Sequence, residues 1–316
     1  MEFKIKSCVK TKDQLPELLK KEYENQYERI KGRLTEQQLS VFDKRDDFPF
    51  VLAMSDFIAN TIFSYPNECT LLVENGALDA TSVVTDLKEF TDEYLNEKLP
   101  EFELKKRLRI VRRTRAMVIA WRELCGYSKL EDVFSDLSYM ASTLVLKTLS
   151  IVRAQIVAVF GDALCSDGTP MPLLTLGMGK LGGGELNFSS DLDLIFAYPY
   201  EGETQGKSRS LTHREFFTRI VQRSANLLSD KTVDTFAYRI DLRLRPFGDA
   251  GAMVNSFDAL QVYYETQGRT WERYALVKAK LLGDDSVNGP YAQELINLLR
   301  PFVFRRYLDY GAVQSL

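Results

Sequence analysis

The sequence predicts an α+β fold, with a mostly helical N-terminal region joined to a small mixed β-sheet domain that has flanking helices. Three observations carry this. From about residue 11 to 164 apolar residues recur at helical spacing, and glycine is confined to Gly32, Gly76, Gly126 and Gly161. At Met171 the texture changes to short apolar runs separated by glycine-rich or polar stretches. Helical spacing then returns beyond Ser256. The expected domains are 1–128, helical; 129–285, bearing the sheet; and 286–316, the opening of a further helical region.

Taken in order, EFELKKRLRIVRRTRAMVIAWRELCGY places Phe102, Leu104, Leu108, Val111, Met117, Ile119, Trp121 and Leu124 among arginines and lysines, and Gly126 marks its stop. Its basic run, Lys105 to Arg115, reads as a solvated helix face. A second long helix follows from about Leu130 to Leu164, closed by the turn CSDGTP. PLLTLG reads as a short buried strand, GMGKLGGGELNFSS as a loop, and DLDLIFAY as a strand with period-two alternation. The polar tract YEGETQGKSRS reads as a mobile loop and LTHREFFTRIVQRSANLLSD as an amphipathic helix. FAYRIDLRLRPFG reads as a third strand ended by Pro246 and Gly248. Three helical patterns close the chain: SFDALQVYYETQG, TWERYALVKAKLLG and a last one from about Ser286 to Arg300. The ending RRYLDYGAVQSL carries no obvious cap, so a piece of a longer chain is expected.

Composition excludes several classes. With 41 Lys+Arg against 44 Asp+Glu, the net charge of −3 lacks the basic excess of a general nucleic-acid binder. Cys8, Cys69, Cys125 and Cys165 are far apart with no C-x-x-C, which argues against zinc and suits reduced thiols in a cytoplasmic protein. MEFKIKSCVK has no apolar signal core. The most apolar stretch, Met140 to Leu164, is broken by Lys147, Arg153, Gln155 and Asp162, so no membrane span is expected. One histidine, His213 in LTHRE, leaves no material for a catalytic triad. Trp121 and Trp271 read as core or interface residues, and Glu272 with Arg273 as either a surface pair or support for the site.

Chemistry concentrates in three carboxylates. Strand alternation puts Asp191 and Asp193 on one face of DLDLIF, with Leu192 and Leu194 on the other. The same rule puts Arg239, Asp241, Arg243 and Arg245 on one face of RIDLRLR. If the two strands are neighbours, three acids converge beside guanidinium groups. Like charges held together call for a hard divalent cation such as Mg²⁺, and arginines suit phosphate. Glycines just upstream allow close backbone approach to a phosphate, and Ser189 and Ser190 add hydroxyls. This fits metal-assisted phosphoryl or nucleotidyl transfer, with two Mg²⁺ ions. The match of Gly177, Gly179 and Gly182 to a dinucleotide fingerprint fails, because only GGELNFSS separates it from the next strand. A P-loop fails because Leu181 follows Lys180. An exposed hairpin edge with solvated acids is the bland alternative, and the flanking glycine loop and RIDLRLR argue against it.

From GMGKLGGGELNFSSDLDLIF, RIDLRLRPFG and YYETQGRTWERYALVKAKLLG together, the chain resembles the bifunctional glutamine synthetase adenylyltransferase/adenylyl-removing family, over roughly Leu173 to Leu282. Its catalytic part is similar to DNA polymerase β-type nucleotidyltransferases, and RLRPFG with the YYETQGRTWERYALVKA run resembles the N-terminal, adenylyl-removing half. The resemblance implies removal of AMP from a tyrosine of glutamine synthetase by phosphorolysis, releasing ADP. It implies Mg²⁺ at Asp191, Asp193 and Asp241, an AMP phosphate cradled by Gly182, Gly183, Ser189 and Ser190, and Arg243 and Arg245 on the incoming phosphate, with Lys180 serving either phosphate or facing solvent. A PII-type signal protein and glutamine are the implied regulators. The opposite reaction, adenylylation from ATP, and a regulatory nucleotide-binding module without turnover are the alternatives.

Overall fold

The computed structural model describes residues 11–79, 84, 86–207, 209–231 and 236–304; Cys8 and the ending from 305 lie outside them. The chain adopts the expected α+β fold. It divides into two compact units, one of residues up to Phe90 with Lys106–Met140, the other of Thr91–Lys105 with the residues from Ala141 onward.

The first unit holds α1 (Glu17–Lys31), α2 (Glu36–Asp43), α3 (Phe48–Met54), α4 (Asp56–Ser64) and α5 (Pro66–Glu74). The boundary between the units falls within α6 (Leu87–Tyr94), α7 (Glu101–Leu124) and α8 (Leu130–Phe160). Trp121 is fully buried and stacks on Phe42 and Phe48, with ring centroids 6.4 and 5.8 Å away. The basic run on α7 is not the solvated face expected. Arg109 and Arg115 are buried, Arg115 forks onto Asp86 at 2.7 and 2.8 Å, and Arg113 lies over the rings of Phe57 and Tyr65. Planar guanidinium groups can be buried against aromatic faces and carboxylates, an option that residue type alone does not reveal.

α8 is long and apolar enough to cross a membrane. Its Met140, Ala141, Leu144, Val145 and Val152 are instead buried in the protein, while Lys147 pairs with Asp92 and Arg153 with Asp162. That is the construction of a core helix.

The second unit is built on a five-stranded mixed sheet. Its elements run β1 (Leu174–Gly177), α9 (Gly179–Gly182), β2 (Leu192–Tyr198), α10 (His213–Ser229), β3 (Ile240–Asp241), β4 (Val254–Ser256), α11 (Phe257–Thr266), α12 (Thr270–Val277), β5 (Lys280–Leu281), α13 (Asp285–Asn288) and α14 (Tyr291–Val303). β1 pairs antiparallel with β2 and with β5. β3 and β4 both run parallel to β2, β3 beside its start and β4 beside its end.

Alternation along β2 sorts the two faces. Ile195 and Ala197 join Leu174 and Leu176 in a core with Phe257, Leu260, Leu276, Leu295 and Leu299, supplied by α11, α12 and α14. On the opposite face Tyr198 stacks on Phe217 of α10, centroids 5.1 Å apart. α10 begins in a reciprocal capping box between Thr212 and Glu215, and it buries Phe216, Phe217, Ile220, Val221, Leu227 and Leu228 on one stripe.

Three expectations need correction. The third strand is two residues long, because tight turns begin at Leu242. TWERYALVKAKLLG is helical only to Val277; Ala279 closes a turn and Lys280–Leu281 pairs with β1 as β5. The loop from Tyr200 is tied down rather than free: Asp162 and Gln205 exchange both backbone hydrogen bonds, and Thr204 bonds Leu211 and, through its hydroxyl, Phe160. Gly161 lets that loop approach, since a Cβ there would stand 2.0 Å from the Gln205 carbonyl.

Candidate active site

The parallel pairing of β2 with β3 sets Asp193 directly beside Asp241. α10 holds β3 in that position: the Ser229 hydroxyl donates to the Tyr238 carbonyl and accepts from the Ile240 N–H, each at 3.0 Å. Asp191 precedes Asp193 by two residues, so all three acids belong to the sheet face that α11, α12 and α14 cover. Asp193 is half-buried. Its carboxyl is pushed above the ordinary aspartate range, by burial first and then by the charges of Asp241 and Asp191.

The flanking acids have arginine partners. Arg239 pairs with Asp191. Arg243 wraps Asp241, its backbone N–H and Nε both donating at 2.8 Å to the two carboxylate oxygens, and this holds Asp241 below the ordinary range. Arg243 keeps the rest of its side chain in solvent. Arg245 is placed differently. It is buried, donates to the Leu242 carbonyl at 2.7 Å and reaches the carbonyls of Asp249 and Gly251, so it braces the loop after β3.

The glycine-rich segment is a single helical turn, α9, laid against the acids. Met178 N–H donates to the Asp193 carbonyl at 2.9 Å, which fixes the turn to β2. Gly179 has φ +53°, and a Cβ there would stand 3.3 Å from the Asp193 carboxylate. At Gly182 a Cβ would stand 2.0 Å from the Lys278 carbonyl and 2.4 Å from that of Gly177. Glycine at both places follows from backbone conformation and close approach. Gly183 and Lys180 are exposed beside the turn. Ser189 and Ser190 sit in an Asx turn: Asn187 Oδ1 accepts from the Ser189 N–H at 3.2 Å and the Ser190 hydroxyl at 2.6 Å.

In chemical kind, the carboxylate set fits a hard divalent cation, with Asp193 as the member lacking a counter-charge of its own. In arrangement, no three His, Cys, Asp or Glu side chains among the described residues converge closely enough to hold one. Asp191 and Asp241 are each paired with an arginine instead, Arg239 and Arg243.

Sequence reasoning missed several supports. Spacing puts Arg239 on the acid face but does not give its partner Asp191, and N-x-S-S over residues 187–190 is an Asx-turn sequence. Lys278 pairs with Glu185 at 2.8 Å, joining α12 to the glycine segment. Glu272 and Arg273 are both buried rather than a surface pair. Glu272 accepts from the Tyr263 hydroxyl and the Arg269 N–H, each at 2.8 Å, and Arg273 donates to the Phe302 carbonyl at 2.9 Å. His213 is a core residue whose Nδ1 lies 2.9 Å from the Tyr200 carbonyl. Cys69, Cys125 and Cys165 are free and buried.

Acids paired across parallel strands thus lie beside a glycine turn and guanidinium groups. Residues 46–294 match the family described as Glutamate-ammonia ligase adenylyltransferase, and the chain belongs to that family. Two relatives carry the name bifunctional glutamine synthetase adenylyltransferase/adenylyl-removing enzyme. The one from Shewanella woodyi is 44% identical over 266 residues, and the one from Shewanella loihica is 44% identical over 268. In both cases the match covers 84% of this chain and 27% of the relative, so the chain spans about a quarter of their length.

Proposed function

We propose that this chain removes AMP from a tyrosine of adenylylated glutamine synthetase by phosphorolysis, releasing ADP. The observation that carries the reading is Asp193 set beside Asp241 by strand register, with Asp191 two residues before it on the same face. An oxygen of inorganic phosphate forms a bond to the AMP phosphorus while the bond from phosphorus to the tyrosine oxygen breaks. ADP leaves, and the tyrosine recovers its proton from solvent. A phenol of pKa about 10 leaves without a strong general acid, which suits a site that has no histidine of its own.

Mg²⁺ bound at Asp191, Asp193 and Asp241 would supply charge neutralisation and polarise the phosphate oxygens. Arg243, exposed next to Asp241, would take the incoming phosphate, a reading supported by its exposure. Arg239 and Arg243 must loosen their hold on the acids for a cation to bind. Gly182 and Gly183 shape the turn against which the AMP phosphate lies, with Ser189, Ser190 and Lys180 at its margin. Arg245 braces the loop after β3, next to Arg243, by holding its carbonyls.

The removing direction rests on the resemblance of RLRPFG and the YYETQGRTWERYALVKA run to the N-terminal half of the family, while the relatives' name carries both activities. Regulation by a PII-type protein and glutamine, and a cytoplasmic location, belong to the same proposal. The test is ADP release from adenylylated glutamine synthetase with phosphate and Mg²⁺, comparing the chain with Asp193→Asn. Release by the parent alone supports the reading. AMP transfer from ATP to unmodified glutamine synthetase, without ADP release, would reverse the direction.

A further inference from the structure

Among the described residues Phe247 is the one non-glycine residue with positive φ, at +61°, and it is 61% exposed. A phenylalanine is doubly out of place there. The left-handed region favours glycine, and a large apolar ring favours burial. Residues held against such preferences gather where a ligand or a reaction needs them.

Several contacts hold Phe247 in this position. Its ring meets Tyr263 of α11 edge-to-face, with centroids 4.6 Å apart and planes 67° apart. Tyr263 is in turn fixed by buried Glu272, 2.8 Å away. Below, the Arg245 fork grips the carbonyls on either side of the loop. Two successive tight turns, Arg245 N–H to the Leu242 carbonyl and Gly248 N–H to the Arg245 carbonyl, fold the loop back toward β3. A Cβ at Gly248 would stand 3.6 Å from the Arg243 carbonyl, so the residue after Phe247 lies against the backbone of the arginine that wraps Asp241. Tyr263 also belongs to the helix layer on the carboxylate face of the sheet.

We propose that Phe247 is a stacking platform for the adenine ring of the nucleotide bound at Asp191, Asp193 and Asp241; this rests on the nucleotidyl-transfer reading above. The carboxylates, arginines and glycine turn act on phosphate alone and leave the base without a partner. An edge-to-face contact with Tyr263 uses at most one face of the exposed Phe247 ring, so a flat face is left for another ring. Adenine is the ring favoured over the substrate tyrosine. The released ADP has few other handles, whereas the tyrosine stays part of a whole protein surface before and after the reaction.

The test compares binding of ADP and of inorganic pyrophosphate, both with Mg²⁺, to the parent, Phe247→Gly and Phe247→Trp. Glycine relieves the backbone conformation and loses the contact with Tyr263, two effects of opposite sign. Thermal unfolding checks that the fold is kept, and Phe247→Leu, bulky but not aromatic, serves if it is not. The expected result is an ADP Kd about tenfold or more higher in Phe247→Gly, as for loss of a base–aromatic stack. The pyrophosphate Kd should stay within about twofold, and Phe247→Trp should restore ADP binding. ADP and pyrophosphate weakening together, or neither changing, would overturn the platform. So would an unchanged ADP Kd with weaker binding of adenylylated glutamine synthetase, which would assign the ring to the protein substrate. A parent that binds neither probe would instead overturn the nucleotidyl-transfer reading itself.

Discussion

Asp193 carries a cost in the folded chain. Its carboxyl is raised by burial and by two neighbouring acids. A carboxyl with a raised folded-state pKa holds its proton more tightly folded than unfolded. Stability is therefore lost as pH climbs from the ordinary aspartate pKa through the raised value. Asparagine has no such dependence. Asp193→Asn is expected to be more stable than the parent at pH 7 by about 0.5–1 kcal/mol, the size of a partly exposed charge interaction, while losing turnover. Denaturant melts across pH should show the gap closing as pH falls below about 4, where both states of the parent are protonated. Asp241 behaves oppositely. Arg243 lowers its pKa, so its contribution is present above the ordinary value and is lost as pH falls through the depressed one. Gly182 tests the other side of the site. A methyl there meets two backbone carbonyls that have no flexible end to move, so Gly182→Ala is expected to cost at least about 2 kcal/mol. Gly184→Ala meets nothing within 4 Å and carries only its φ of +68°, a penalty of about 1 kcal/mol. Urea midpoints should separate the two variants.

Among the elements, length decided what could be read in advance. α10 announces itself with a capping box and a full apolar stripe, and β2 with a D-L-D-L start running into an apolar stretch. Asp191, Asp193 and Asp241 were legible because alternation is a local rule, and only the adjacency of β2 and β3 had to come from tertiary structure. Alternation misled at Arg245, because β3 stops at Asp241 and the turn after it redirects the side chain inward. β4 and β5 are three and two residues long and exist through their pairing with β2 and β1, which no window of sequence contains. Burial of Glu272 was illegible for the same reason, since both of its partners come from the α11–α12 corner. That corner supports the loop beneath Phe247. Glu272→Ala would leave the Tyr263 hydroxyl and the Arg269 N–H without their acceptor, and the loss of stability should be about 1–3 kcal/mol. An effect below 0.5 kcal/mol in equilibrium unfolding would show that water replaces the carboxylate there.

For the whole molecule, the two tryptophans provide a way to watch each unit separately. Trp121 is buried in the aromatic stack of the first unit, and Trp271 is half-exposed on α12 in the second. Trp121→Phe leaves Trp271 to report the unit that carries the acids; Trp271→Phe leaves Trp121 to report the other. A ligand that binds only the folded state at about a hundred times its Kd stabilises that state by about 2.7 kcal/mol. With Mg²⁺ and ADP at that level, the denaturation midpoint read at Trp271 is expected to move up by the corresponding amount. Adding Asp193→Asn to the same background should abolish the shift without lowering the ligand-free midpoint. A shift that survives Asp193→Asn would place nucleotide binding away from the three carboxylates. The Trp121 midpoint in the parallel variant then measures how much of the stabilisation passes along α7 and α8, whose residues belong to both units. If Trp121 follows Trp271 in full, the chain unfolds as one cooperative body. If it stays where it was, nucleotide occupancy is felt by the unit that carries the acids alone, and any regulator acting through the helical unit must alter the acids by some route other than shared stability.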